Sequence, residues 1–355
     1  MYKRQLIIII FFMLSTLSGC WDNKDIDHRV MPIVLGISKE SEKYKVFLQI
    51  PTPENGTIQT KVVSGTGRTL NEIIDSISSD MESDLDLLHV KVIVVDRELA
   101  EEGLKDLISG FLRSREVASK ASLVICDEDI DNFFSKLDQQ EGSMAIALLD
   151  YFEKNAGWDP HIALTRVWEV YRSIHSYTLD VAVPIMTLGE TTLFKQLGSA
   201  VIKNGKMVGE INSDETLLYN AFNGEKTQGQ IEVLDDASVL ILSQKLHHNS
   251  DFTNRKPLLS TTLTFNVMIL ETRGNPSTEL IKNELIQLLE GRFERMFASA
   301  QKNQSDILGI GQYFRNDLSR EELKNWRKEF YPDLTVDLTV QVDIQNSGNL
   351  KSPTK

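Results

Sequence analysis

The chain has 355 residues, 41% apolar and 25% charged, with 20 glycines and 9 prolines, a balance that supports packed cores and excludes a disordered, fibrous or low-complexity protein. Its two cysteines, Cys20 and Cys126, exclude a disulfide framework or a cysteine-rich zinc site. With 38 basic against 51 acidic residues the net charge is −13, and without a basic block neither nucleic acid nor the charge of an anionic lipid surface is a partner.

The first predicted element is a leader. Lys3 and Arg4 precede an apolar run from Leu6 to Leu17, shorter than the ~20 residues that span a bilayer. The run closes on Leu17-Ser18-Gly19-Cys20, small residues before a cysteine, as at a secretory cleavage site. This tetrapeptide resembles the bacterial lipobox. Residues 1–19 therefore read as a lipoprotein signal peptide and Cys20 as the lipidated N-terminus, carrying S-diacylglycerol and N-acyl (palmitate) groups. At ~0.8 kcal/mol per buried CH₂ one chain anchors marginally and two or three hold firmly. The alternative is a secreted chain whose mature N-terminus is an unmodified cysteine. No later segment reaches transmembrane length. No Gly/Ser spacer separates Cys20 from strand-like Ile33-Val34-Leu35-Gly36-Ile37, so the leash spans at most ~40 Å. The body is expected close to the outer face of a cytoplasmic membrane.

Residues 31–38 and 44–51 read as strands, the second alternating Tyr44, Val46, Leu48 and Ile50 with polar residues. Thr69-Leu70-Asn71-Glu72 is a capping-box pattern opening a helix with Leu70, Ile73, Ile74 and Ile77 on one face. Val90–Val95 reads as a strand covered on both sides. A helix carrying Leu99, Leu104, Leu107, Ile108 and Phe111 follows, then a strand at Ser122–Cys126. This is a βαβ succession. Helices near 129–138 and 142–156 complete an α/β domain over 20–187, with the stretch around Pro184 as its exit. A small middle domain, 188–250, is marked by Asn204-Gly205 between 199–203 and 206–210, a two-residue turn in which both positions need φ > 0. Ser213 opens a short helix, and strands are expected near 229–234 and 238–246. In the C-terminal domain, 251–355, Thr261–Glu271 and Leu334–Ile344 alternate as one-sided strands. Between them a helix over 277–303 spaces Ile281, Leu285, Leu289, Phe293, Met296 and Ala300 at helical period. The expected fold is thus α/β and α+β in three domains, with mixed sheets, packed helices and a C-terminal sheet covered by a long helix.

Candidate chemistry is weighed against simpler roles. Asp127, Asp129 and Asp131 have the spacing of a calcium loop, but Asn132 stands where the sharp turn wants glycine and Asp138 where a bidentate glutamate is usual. Helix capping is preferred. His247-His248 point to opposite faces of a strand and cannot share an ion; His28, His89, His161 and His175 have no ligand-spaced partner. Cys126 closes an apolar strand as a small buried hydrophobe. Gly65-Thr66-Gly67-Arg68 lacks the ending of a P-loop and the third glycine of a dinucleotide fingerprint, and reads as a tight turn. No catalytic residue, metal or cofactor is expected.

Ser18-Gly19-Cys20-Trp21-Asp22, running on through Val34-Leu35-Gly36-Ile37 to Tyr44-Lys45-Val46, resembles the start of the Ger(x)C family of spore germination lipoproteins. The likeness continues in His89-Val90-Lys91-Val92-Ile93-Val94, in Leu99–Leu104, in Phe111-Leu112-Arg113 with Glu116, and in Gly198-Ser199-Ala200-Val201 with Lys206-Met207-Val208-Gly209. It closes with Ser305-Asp306-Ile307-Leu308-Gly309-Ile310-Gly311, Trp326 and Phe330-Tyr331-Pro332-Asp333. The resemblance implies a non-enzymatic subunit of a nutrient germinant receptor, lipid-anchored on the outer face of the spore's inner membrane. Its implied partners are two integral membrane subunits, one transporter-like. The C-terminal unit, about 251–345, is the expected docking surface. A competing class is the solute-binding lipoprotein of an importer, but such proteins have two similar lobes, and the C-terminal third here differs from the rest.

Overall fold

Apolar runs between 34 and 211 pair into one large sheet in a computed structural model that describes residues 4–5, 29–54, 57–114, 117–139, 146–153, 159–225 and 227–346. In chain order its first strands are β1 (Arg29–Val30), β2 (Val34–Glu40), β3 (Lys43–Glu54), β4 (Thr57–Gly67), β5 (Asp84–Leu85), β6 (Val92–Asp96) and β7 (Ser122–Cys126). Then come β8 (Val181–Leu188), β9 (Phe194–Lys203) and β10 (Lys206–Ile211). Eight of these form a mixed sheet in the order β10-β9-β8-β7-β6-β2-β3-β4. β2, β6, β7 and β8 are parallel, while β1 and β5 make a separate short pair. The continuous apolar run at 90–95 thus lies near the sheet centre, where both faces are covered.

One face packs against α1 (Leu70–Ser79), α2 (Arg97–Glu102), α3 (Lys105–Ser114) and α6 (Val167–Ile174), burying Ile73, Leu99, Ile108 and Val170 against Leu35, Ile93 and Ile125. The other face takes α4 (Ile130–Asp138) and α5 (Ala147–Glu153), where Phe133, Phe134 and Leu148 meet Val34, Val94 and Val124. The single helix expected around Leu99–Phe111 is two, parted at Gly103 with φ +142°. The Leu104 amide donates instead to the Gly205 carbonyl at 2.6 Å.

A second sheet, β11-β12-β13-β14, comprises β11 (Ile231–Val233), β12 (Ala237–Asp251), β13 (Leu258–Thr272) and β14 (Thr335–Asn346). β12 and β13 are antiparallel, whereas β14 runs parallel to β13 after the crossover through α8 (Thr278–Lys302). Ser277 caps α8, accepting from the Leu280 amide at 3.2 Å. As the periodicity predicts, Ile281, Leu285, Leu289, Phe293, Met296 and Ala300 are buried on this sheet.

Residues 188–250, read as a middle unit, divide between the sheets. The β9–β10 hairpin extends the large one and β11–β12 start the small one. Between the sheets lies α7 (Ser213–Phe222), capped reciprocally by Asn212 and Glu215, with every residue from Glu215 to Phe222 buried. A helix buried all round belongs inside a core. Its Leu217 and Leu218 share one cluster with Ala182 and Val201 of the large sheet and Leu263 and Phe265 of the small one.

Pro184 lies inside β8 rather than at a domain exit. Ala182, two residues before it, donates to the Tyr219 hydroxyl and accepts from Thr165, so this side of β8 turns away from β9. There β7 pairs with β8 only at Ile185 and Met186, so the missing proline N–H removes no ladder bond.

Candidate functional site

Cys20, the predicted lipidation site, and His28 lie outside the described residues. The acids of the calcium-like spacing do not converge. Asp127 pairs with Arg97 at 2.5 Å, Asp129 caps α4 by accepting from Asn132 N at 2.7 Å, Asp131 pairs with Lys45, and Asp138 accepts from Val62 N at 2.6 Å. Among the described residues no group of three or more His, Cys, Asp or Glu is placed to hold a metal. His248 meets Thr261 Oγ1 at 2.9 Å and lies tilted against the Tyr313 ring, while His247 faces solvent. His89 and His175 are exposed, and His161 sits beside Asp159. Burial pushes the Cys126 thiol up to about 12, so it is a core residue and not a nucleophile. Gly65 and Gly67 are not a turn: both lie in β4, where a Cβ at 67 would come within 2.8 Å of Ile73 on α1.

What the structure does assemble is a sealed polar junction between the sheets. Asp180, fully buried just before β8, receives Arg327 Nε at 2.9 Å and Nη2 at 2.8 Å. It also accepts from the Asp306 amide at 2.9 Å and Ser305 Oγ at 3.3 Å. Arg327 Nη2 reaches the carbonyls of Ser176 at 2.9 Å and Leu179 at 3.2 Å. Asp306 in turn accepts from Ile310 N at 2.8 Å, Gly311 N at 2.7 Å and Trp326 Nε1 at 2.9 Å. Burial raises the Asp306 carboxyl to about 7, against the opposing pull of the Gly311 and Ile310 amides and with Asp180 adding to the rise. The turn is built for this contact: Gly309 has φ +63°, and a Cβ at Gly311 would lie 2.6 Å from the Trp326 ring.

The 305–311 and Trp326 blocks of the sequence thus meet at one place. Asp180 and Arg327 were not singled out, because neither lies in a local pattern. The only sequence signal is at Asp180, a charge set between apolar neighbours in Leu179-Asp180-Val181; Arg327 is followed by Lys328 and Glu329 and carries none. A buried Asp180–Arg327 pair, linked through the Asp306 amide to a second buried carboxyl whose oxygens are filled by Ile310, Gly311 and Trp326, couples elements rigidly and offers nothing to a substrate.

A cavity of about 650 Å³ opens between α1 and α3, with Leu35, Val46 and Phe111 inside and Arg68, Asp106 and Arg113 at its rim. Among the described residues no buried, unpartnered polar side chain points into it.

Comparison with known proteins also divides the chain in two, but near residue 190, so that the β9–β10 hairpin of the large sheet falls on the C-terminal side. The profile described as "Spore germination protein N-terminal domain" matches residues 22–188, and "Spore germination B3/ GerAC like, C-terminal" matches 197–348. Spore germination protein KC of Bacillus subtilis (strain 168) is 22% identical, the alignment covering 99% of this chain and 98% of that one. Spore germination protein B3 of the same strain is 24% identical over 84% and 83%. The crystal structure of the GerBC protein superposes with a TM-score of 0.56 at 16% identity, over 88% of this chain and 97% of that one, a likeness of fold.

Proposed function

The chain belongs to the Ger(x)C family of spore germination proteins, and from that premise we propose that it is a lipid-anchored, non-catalytic subunit of a nutrient germinant receptor. Its role lies in spore germination. The observation that carries the finer reading is the pair of profiles running consecutively through 22–188 and 197–348. Both sheets and the junction between them come from one germination subunit. Cys20 stands two residues before the start of the matched region. In this reading its acyl chains hold the body at the outer face of the spore's inner membrane, beside two integral membrane subunits. Among the described residues no helix is long and apolar enough to cross a membrane. A non-catalytic role is supported by the sealed Asp180–Arg327–Asp306 junction and the buried Cys126. The solute-binding alternative wants two similar lobes, which a mixed eight-stranded and a four-stranded sheet are not.

Deleting the gene tests the reading. Spores are expected to lose some nutrient responses while a non-nutrient trigger that bypasses receptors still works. Full nutrient response after related receptors are also removed would sink it. The anchor is tested separately by mass spectrometry of the mature N-terminal peptide. A diacylglyceryl, N-acylated Cys20 is expected, and Cys20→Ala is expected to leave an unanchored precursor; a free Cys20 thiol or cleavage elsewhere counts against it.

A further inference from the structure

Among the described residues β14 is paired on one side only. Its ladder with β13 runs from Leu258↔Thr335 to Met268↔Asn346, in unbroken register as far as Val267↔Ile344, and β14 ends the sheet. The Thr335 amide donates to the Pro257 carbonyl at 3.1 Å, so the odd-numbered residues turn their polar backbone groups toward β13. Strand alternation then turns those of Val336, Leu338, Val340 and Val342 outward. Helix α8 stands beside this edge. Phe293, Phe297 and Ala298 face Val336 and Leu338 across a groove of about 380 Å³. Gln301 closes one end, donating to the carbonyls of Tyr331 at 3.1 Å and Leu334 at 2.8 Å. The rim is acidic, with Glu290 and Glu294 on α8 and Asp337 on β14. Among the described residues no ion pair engages these three acids; Arg255 holds Glu322, Arg292 holds Asp214 and Glu232, Lys324 holds Glu321 and Arg327 holds Asp180.

From the free edge, the apolar floor and the anionic rim, we infer that this groove docks an extended polypeptide segment of a partner protein. The segment adds a fifth strand beside β14, its apolar side chains toward Phe297 and its lysines or arginines toward the rim. Main-chain bonds supply affinity in such an arrangement, and the alternate side chains supply selectivity. A second copy of this chain is the wrong occupant. Antiparallel pairing of two β14 strands about Val340 sets Asp337 opposite Asp343 on one face, and like charges directly opposite destabilise a pair. The inference deepens the receptor-subunit reading by giving the partner a chemistry, yet its test needs no spores.

The test uses the purified full chain and a ten-residue peptide alternating valine and lysine, with amide hydrogen exchange and a binding titration as readouts. Saturable binding that slows exchange at Val336, Leu338 and Val340 is expected, and a peptide with glutamate in place of lysine should give none. Leu338→Pro removes an outward N–H at a sheet edge and should abolish binding. The exposed double variant Glu294→Lys with Asp337→Lys should weaken it by about tenfold or more, and this variant decides the matter if the proline one does not fold. No slowed exchange with the lysine peptide, slowing elsewhere in the chain, or equal slowing with the glutamate peptide overturns the inference. That failure, beside a germination defect in the deletion strain, removes the groove and leaves the subunit reading intact; the opposite pair of results removes the reading and leaves the groove.

Discussion

Arg327 is the residue on which the junction turns. It meets a fully buried Asp180 through two N–H groups. Without the guanidinium that carboxylate keeps only the Asp306 amide and the Ser305 hydroxyl. Removing one partner of such a pair costs about 3–5 kcal/mol, so Arg327→Ala is expected to lower the unfolding free energy by that amount in a urea titration. Arg255→Ala, which breaks a surface pair in which the guanidinium itself is exposed, is expected to leave the midpoint near wild type. Asp306 adds a pH dependence. Its carboxyl sits at about 7 in the folded chain, above an ordinary 3.8. Between those values the folded state holds a proton that the unfolded state has released, so this contribution to stability falls as pH rises from 4 to 7. Asp306→Asn does not titrate there, and its amide confronts the Gly311 and Trp326 N–H groups with a donor. The variant is expected to be less stable throughout, with the wild-type advantage larger at pH 5 than at pH 8 by urea unfolding. An advantage that grows with pH would contradict the assignment.

At the scale of elements, the Asn204–Gly205 turn gives the plainest test. Asn204 has φ +52° and Gly205 φ +79°, Lys203 pairs with Lys206, and a Cβ at Gly205 would meet Ile174 of α6 at 3.0 Å. Gly205→Val combines left-handed strain with that contact, and about 1–3 kcal/mol should be lost in thermal or urea unfolding. This hairpin was legible because its chemistry is local, as was α8, whose stripe and Ser277 cap set bounds of 277–303 against an observed 278–302. β4 was not legible: its run of Thr, Gln, Lys, Ser and Gly carries little apolar alternation, and pairing with β3 along its length is what makes it a strand. α7 was visible as a helix, but its burial on every side follows from two sheets closing over it. The junction was hidden for the same reason. Asp180 and Arg327 stand 147 residues apart, and no window of sequence contains both.

For the whole molecule, α7 and the junction make two unlike sheets one mechanical body. Leu217 and Leu218 touch a cluster drawn from both sheets, so neither half has a complete core alone. Trp168 on α6 and the buried Trp326 report on opposite halves. Their fluorescence transitions are expected to coincide, and Leu218→Ala, at a cost of about 2–5 kcal/mol, should move both together; two separated midpoints would contradict the shared core. The placement of β14 carries a consequence for how the chain is made. It is the last described strand to leave the ribosome, yet it seals one side of β13 and lies under α8. Until it arrives, a fifteen-residue strand stands with an open edge beneath a helix whose apolar stripe is only partly covered. A nonsense codon anywhere before 335 therefore yields no shortened working protein, but a sticky chain destined for proteolysis, and null phenotypes should cluster with late truncations as surely as with early ones.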